Sequence, residues 1–98
     1  MSKPRIELEN FADFMEDVLR DNDHKGGWQS MPISDVIKRM HEELEEVRIV
    51  YNNLIYYEDW CKLKKEAADV ANFAMMLADL IDKRYLNPQY LNPSEMIE

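Results

Sequence analysis

Ninety-eight residues set the scale of a single domain, 46% of them hydrophobic, enough for a small core that oligomerisation is expected to complete. A net charge of −8 disfavours a nucleic-acid polymer as partner, because phosphate recognition needs Lys and Arg, but a nucleotide stays open, since bound divalent cations can invert the local field. Cys61 is the one cysteine, the N-terminus has no signal-peptide run and no segment is long and apolar enough for a membrane, so a reducing cytoplasm is expected.

Residues 7–86 carry helical patterns, and 87–98 read as an irregular tail. From Glu7 to Asp21, the residues Leu8, Phe11, Met15, Val18 and Leu19 recur at helical spacing, with Phe14 beside them. The stretch 21–27 breaks this helix with the chain's only two glycines, Gly26 and Gly27, and Trp28 follows. Pro32, Ser34 and Asp35 are start signals for a second helix running to about Tyr51, where Asn52 and Asn53 end it. Its apolar stripe reads Ile33, Ile37, Met40, Leu44, Val47 and Tyr51. Residues 54–60 fit neither strand nor loop decisively. Trp60, Tyr56 and Tyr57 are read as packing residues, with pocket lining as the minor option.

A third helix is expected from near Asp59 to about Leu86, with Asn87 and Pro88 as its stop. Val70, Phe73, Leu77 and Leu80 form its stripe, flanked by Met76 and Ile81. Ala67, Ala71, Ala74 and Ala78 form a second strip that admits another helix closely. The tail residues Tyr90, Leu91, Met96 and Ile97 are expected to dock on a neighbouring subunit. The whole reads as an all-α helical bundle of three main helices, completed by dimerisation.

Two carboxylates fall where apolar side chains should be. On the third helix Phe73, Leu77 and Val70 lie within about 40° of Glu66, and Asp69 about 60° to one side. Buried carboxylates need a cation, a proton or several donors. On the second helix Glu43 lies about 70° from the stripe centre and Glu46 further toward solvent, while Glu42 and Glu45 point away. Two Glu/Asp pairs at i, i+3 on facing helices can converge. Four hard oxygen donors without Cys or His suit Mg²⁺, or Mn²⁺, rather than zinc. The plainer reading is an ion pair with Lys62, Lys65 or Arg39. A di-iron bundle would need Glu-x-x-His on two helices, which the chain lacks. Lys25 or His24 can meet phosphate, and Trp28 can stack on a base or simply cap the core. His41 reads as surface, and Met15, Met40, Met75 and Met76 as core gap-fillers.

Glu43-x-x-Glu46, nineteen intervening residues and Glu66-x-x-Asp69 resemble the Glu-x-x-Glu…Glu-x-x-Asp signature of the MazG-like all-α nucleoside triphosphate pyrophosphohydrolases. The strings 24–28 and 68–76 resemble a small single-domain branch found in phages and bacteria. Together these cover about residues 20–85. The resemblance implies a Mg²⁺-dependent hydrolase that cuts a nucleoside triphosphate between the α- and β-phosphates, giving monophosphate and pyrophosphate. It implies Glu43, Glu46, Glu66 and Asp69 as metal ligands and Glu46 and Glu66 as catalytic, with Glu46, which faces most toward solvent, orienting or deprotonating the attacking water. It makes Asn72 a substrate-binding or supporting donor, and it implies a homodimer or homotetramer. Pattern alone leaves Glu42/Glu45 as an alternative pair; the helical wheel selects Glu43/Glu46. Phosphoribosyl-ATP hydrolysis would use the same ligands. From another class, the alternative is a non-catalytic helical module that binds a partner protein.

Overall fold

A computed structural model describes residues 2–86, and these are all-α. Helix α1 spans Ile6–Asn22, α2 spans Ile33–Asn52 and α3 spans Tyr57–Ile81. A 3₁₀ turn, Asp23–Lys25, follows α1, and a π-helical turn, Asp82–Leu86, prolongs α3. The expected three-helix architecture is what forms. Residues 87–98, with the tail residues expected to dock on a second subunit, lie outside the described residues. Among the described residues no helix is long and apolar enough to cross a membrane.

Local chemistry sets the helix ends. Asn22 Nδ2 donates to the Val18 carbonyl at 3.1 Å, and Asn53 Nδ2 to that of Ile49 at 2.7 Å. Each side chain adds a donor to a carbonyl near the end of its helix, where backbone donors run out. Pro32, at φ −62°, precedes α2, and its carbonyl accepts from the backbone N–H groups of Asp35 and Val36. Segment 54–60 resolves into a short linker and the first turn of α3. Asp59 Oδ2 accepts from the backbone N–H groups of Ile55, at 2.8 Å, and Tyr56, at 2.9 Å. That bond pair lets α3 begin at Tyr57, two residues before the expected start. The same two donors, Tyr56 first, hold the Asp59 carboxyl below its ordinary value.

The linker Asn53–Tyr56 folds α3 back along α2, and α1 packs on α3. Among the described residues the buried apolar ones are Val18, Val36, Val50, Ala68 and Leu80, and the buried polar one is Asn72. This corrects the expected stripe of α2. Ile33, Met40 and Val47 are half-buried as expected, but Ile37, Leu44 and Tyr51 are exposed. Val36, Glu43 and Val50 take their place against the rest of the chain. Two overlapping stripes at helical spacing share Ile33, Met40 and Val47, and the one containing Glu43 faces inward. On α3, Leu80 is buried as expected, while Val70, Phe73 and Leu77 are half-buried and Ala68 and Asn72 are the enclosed residues. Ala67, Ala74 and Ala78 are exposed, so no helix among the described residues covers that strip. Tyr56, Tyr57 and Trp60, expected to pack, are exposed as well, because the linker holds them at the outer end of the hairpin.

Candidate metal centre and its cleft

The hairpin aligns the carboxylates by simple counting. Glu43 lies nine residues before the end of α2 at Asn52, and Glu66 nine residues after the start of α3 at Tyr57. At 1.5 Å per residue both sit roughly 14 Å from the turn, face to face. Asp69 is one turn further along α3. Glu43, Glu66 and Asp69 each present an oxygen within 4.8 Å of the others, and all three are half-buried.

Glu46 follows a different geometry. In an antiparallel pair the i+3 steps run in opposite directions, so Glu46 and Asp69 diverge by about 9 Å along the axis. Glu46 is exposed and outside the trio, yet close enough for its charge to raise the pKa of Glu43 and Glu66. Glu42 and Glu45 are exposed, and Glu45 pairs with Arg48 at 3.2 Å. The structure thus brings Glu43, not Glu42 or Glu45, into the cluster, as the helical wheel expects.

Charge is poorly balanced within the trio. Lys65 Nζ lies 3.6 Å from Asp69 Oδ2, one half-exposed cation for three carboxylates. Burial pushes the Glu43 carboxyl above its ordinary value, with Asp69 and Glu46 adding to it and Arg39 and Lys65 opposing. Burial likewise raises Glu66, with Asp69 and Glu43 adding to it. Such groups bind protons more tightly folded than unfolded. Their contribution to stability is therefore complete below about pH 4.5 and is lost as pH rises through the raised values. Metal-free protein is expected to melt at a higher temperature at pH 5 than at pH 7.5, and Mg²⁺ to narrow the gap; melting curves in chelator and in Mg²⁺ test both. Asp59 and Asp79 work the other way, but their contribution is lost only as pH falls below about 3.8.

Three clustered carboxylates with no sulfur or imidazole among them match a hard divalent cation such as Mg²⁺ or Mn²⁺. Beside them opens a cleft of about 350 Å³. Glu43 and Asp69 line it, together with Lys25, Arg39, Lys65, Trp28 and Asn72. Its acidic rim therefore also carries three cations. Of the residues expected to meet substrate, Lys25, Trp28 and Asn72 line this cleft; His24 is exposed on the 3₁₀ turn and does not. Arg39 is the residue that sequence reasoning undervalued. It reads as an ion-pair partner one turn before Glu43, but its guanidinium rests 5.6 Å from the Phe73 ring centroid, a cation–π contact that holds it over the cleft.

The glycine segment is tied down from far along the chain. Gly26 takes a positive φ of 92°, which a side chain would resist. Trp28 Nε1 then donates to Asp79 Oδ2 at 2.9 Å, and Lys83 Nζ donates to the same oxygen at 3.0 Å. Lys83 also reaches Gln29 Oε1, at 3.3 Å, and Arg84 the Gln29 carbonyl, at 3.0 Å. The indole thus stands against α3 with its ring on the cleft. The Trp28 hydrogen bond, helped by Lys83, holds the Asp79 carboxyl below its ordinary value. Asp79→Ala is expected to cost about 1 kcal/mol, the scale of one part-exposed hydrogen bond. Urea titration gives the loss, and tryptophan emission in a Trp60→Phe background, shifted to the red, shows the indole released.

Over 69 residues, 70% of this chain and 70% of the relative, the sequence is 33% identical to an uncharacterized protein of Archaeoglobus fulgidus. No family model and no solved structure matches the chain.

Proposed function

We propose, for a chain that belongs to one family with this archaeal protein, that it is a Mg²⁺-dependent nucleotide pyrophosphohydrolase. The observation that carries the reading is the convergence of Glu43, Glu66 and Asp69 beside a cleft that also presents Lys25, Arg39 and Trp28. Acidic oxygens alone repel a polyphosphate. Acidic oxygens beside cations and an aromatic ring suit a metal–triphosphate with a base attached. The Glu-x-x-Glu…Glu-x-x-Asp resemblance supports the same chemistry.

In this reading Glu43, Glu66 and Asp69 hold the cation, and Glu46 takes part from the solvent side. Mg²⁺ (or Mn²⁺) supplies charge neutralisation on the phosphates and a lowered pKa for bound water. Lys25 and Arg39 bind non-bridging phosphate oxygens, Arg39 through its planar fork. Trp28, oriented by Asp79, offers its face to the base. Glu46, open to solvent, orients the attacking water and accepts its proton. Lys65, now 3.6 Å from Asp69, would be available to phosphate were that carboxylate to hold the cation. Cleavage between the α- and β-phosphates yields monophosphate and pyrophosphate. Phosphoribosyl-ATP would meet the same ligands.

The exposed Ile37, Leu44 and Tyr51 recur every seven residues along α2, a second apolar face with no cover among the described residues. We assign it to a second copy of the chain, which makes a homodimer or homotetramer of bundle character.

Anion-exchange analysis of products from a panel of ribo- and deoxyribonucleoside triphosphates tests the reading, with Mg²⁺ and with chelator. Monophosphate plus pyrophosphate, dependent on metal, supports it. Diphosphate plus phosphate would mean the wrong bond. No turnover together with no metal-induced stabilisation would favour a helical module that binds a partner protein through that second face.

A further inference from the structure

Asn72 carries a hydrogen-bonding atom that the described residues do not use. It is 3% exposed and sits on α3 one turn past Asp69. Its Nδ2 donates to the Met15 carbonyl at 3.2 Å, which fixes the sense of the amide: the nitrogen faces α1 and the oxygen is left over. Oδ1 is buried with no hydrogen-bond partner. An acceptor stranded in this way costs roughly 1–3 kcal/mol, and folded proteins seldom leave one without a use. Asn72 lines the cleft together with Asp69 and Phe73, and a donor entering by the cleft reaches Oδ1 once the atoms that now cover it give way.

We propose that Asn72 Oδ1 accepts a hydrogen bond from a sugar hydroxyl of the bound nucleotide, making Asn72 a specificity-determining residue for the sugar. The inference rests on the nucleotide reading above. Phosphate oxygens carry no donor for an amide oxygen, so the donor belongs to the sugar or the base. Position decides between them. Three residues of helix separate Asn72 from Asp69, about 4.5 Å along the axis. With the phosphates held at the carboxylates and at Arg39, the sugar hydroxyls lie a short step from the α-phosphate and the polar edge of the base a longer one. The base is left to Trp28 and to the apolar wall of Leu19, Met31 and Met76. A site that hydrogen-bonds a hydroxyl discriminates strongly against the analogue lacking it, because its own polar group is then unpaired.

The test is calorimetric binding of non-hydrolysable α,β-imido-dATP in Mg²⁺, set against its 2′,3′-dideoxy and inosine counterparts. Wild-type protein is expected to bind the dideoxy analogue at least tenfold more weakly and the inosine analogue almost unchanged. In Asn72→Leu, with helicity checked by circular dichroism, the two sugars are expected to bind alike; Asn72→Ser serves the same purpose if the leucine variant does not fold. Equal affinity of wild type for both sugars overturns the inference and leaves the pyrophosphohydrolase reading standing. Sensitivity to inosine instead moves the donor to the base and equally overturns it. Hydroxyl dependence that persists in the Asn72 variants assigns the hydroxyl to another residue. Failure to bind any analogue brings down the functional reading together with the inference.

Discussion

Glu66→Gln is expected to reduce nucleoside triphosphate hydrolysis by about a thousandfold and, in the absence of metal, to make the protein more stable. The two effects share one cause. Glu66 faces Glu43 across the hairpin with Asp69 one turn away, and burial has already raised its pKa. The amide keeps the shape but removes one of three charges that repel each other. In chelator the variant should melt a few degrees higher, since the crowding is relieved and no ion pair is broken; Lys65 sits on Asp69. With Mg²⁺ the order reverses. A hard cation loses an anionic ligand, and several kcal/mol of charge stabilisation go with it; about 4 kcal/mol corresponds to roughly a thousandfold in rate. Asp69→Asn is the informative neighbour. It should lose activity similarly but gain less stability, because it strands Lys65. Steady-state kinetics with melting curves in chelator and in Mg²⁺ reads both halves. A Glu66→Gln protein that stays active, or that is destabilised without metal, would show that the trio is not a metal centre.

How much of this was legible in the sequence depends on what each signal measures. Helix ends were readable because they rest on local chemistry: paired glycines, Pro32 and the asparagines that turn their amides back onto carbonyls of the preceding turn. Asp59 was the local exception. Its capping of the linker needs a fold-back over three and four residues, which periodicity over an apolar run does not register. The inward face of α2 was not legible, because Ile33, Met40 and Val47 serve two stripes at once. Only the partner helix decides whether Val36, Glu43 and Val50 or Ile37, Leu44 and Tyr51 turn inward. The carboxylates themselves were partly legible. Glu66 and Asp69 stood out as charges on an apolar stripe, and Glu43 followed from the wheel. The separation of Glu46 from Asp69 appears only once the helices are known to run antiparallel. Arg39 read only as one of three candidate ion-pair partners for the carboxylates, since neither the Phe73 ring beneath it nor the cleft it faces is near it in sequence.

Leu80→Ala is expected to remove about 3 kcal/mol of stability, within the 2–5 kcal/mol range for a leucine truncated in a core. Leu80 is 1% exposed and is one of five buried apolar residues among those described. A chain of this length has on the order of 5–10 kcal/mol to lose, so the substitution takes a third or more of it. The melting temperature should fall by about 15–20 °C, at roughly 4–8 °C per kcal/mol. Leu44→Ala separates the core of one chain from whatever covers α2. Leu44 is half-exposed in the single chain, so within a monomer its truncation should be close to neutral. If a second copy covers Ile37, Leu44 and Tyr51, Leu44→Ala will instead lower stability in a way that depends on protein concentration, as dissociation becomes part of unfolding. Urea titrations of both variants at widely separated concentrations, with sedimentation to count subunits, distinguish the cases. A concentration-independent loss in Leu80→Ala beside a concentration-dependent loss in Leu44→Ala would locate one interface inside the chain and the other between chains. A monomer unaffected by Leu44→Ala would leave the outer face of α2 without the partner proposed for it.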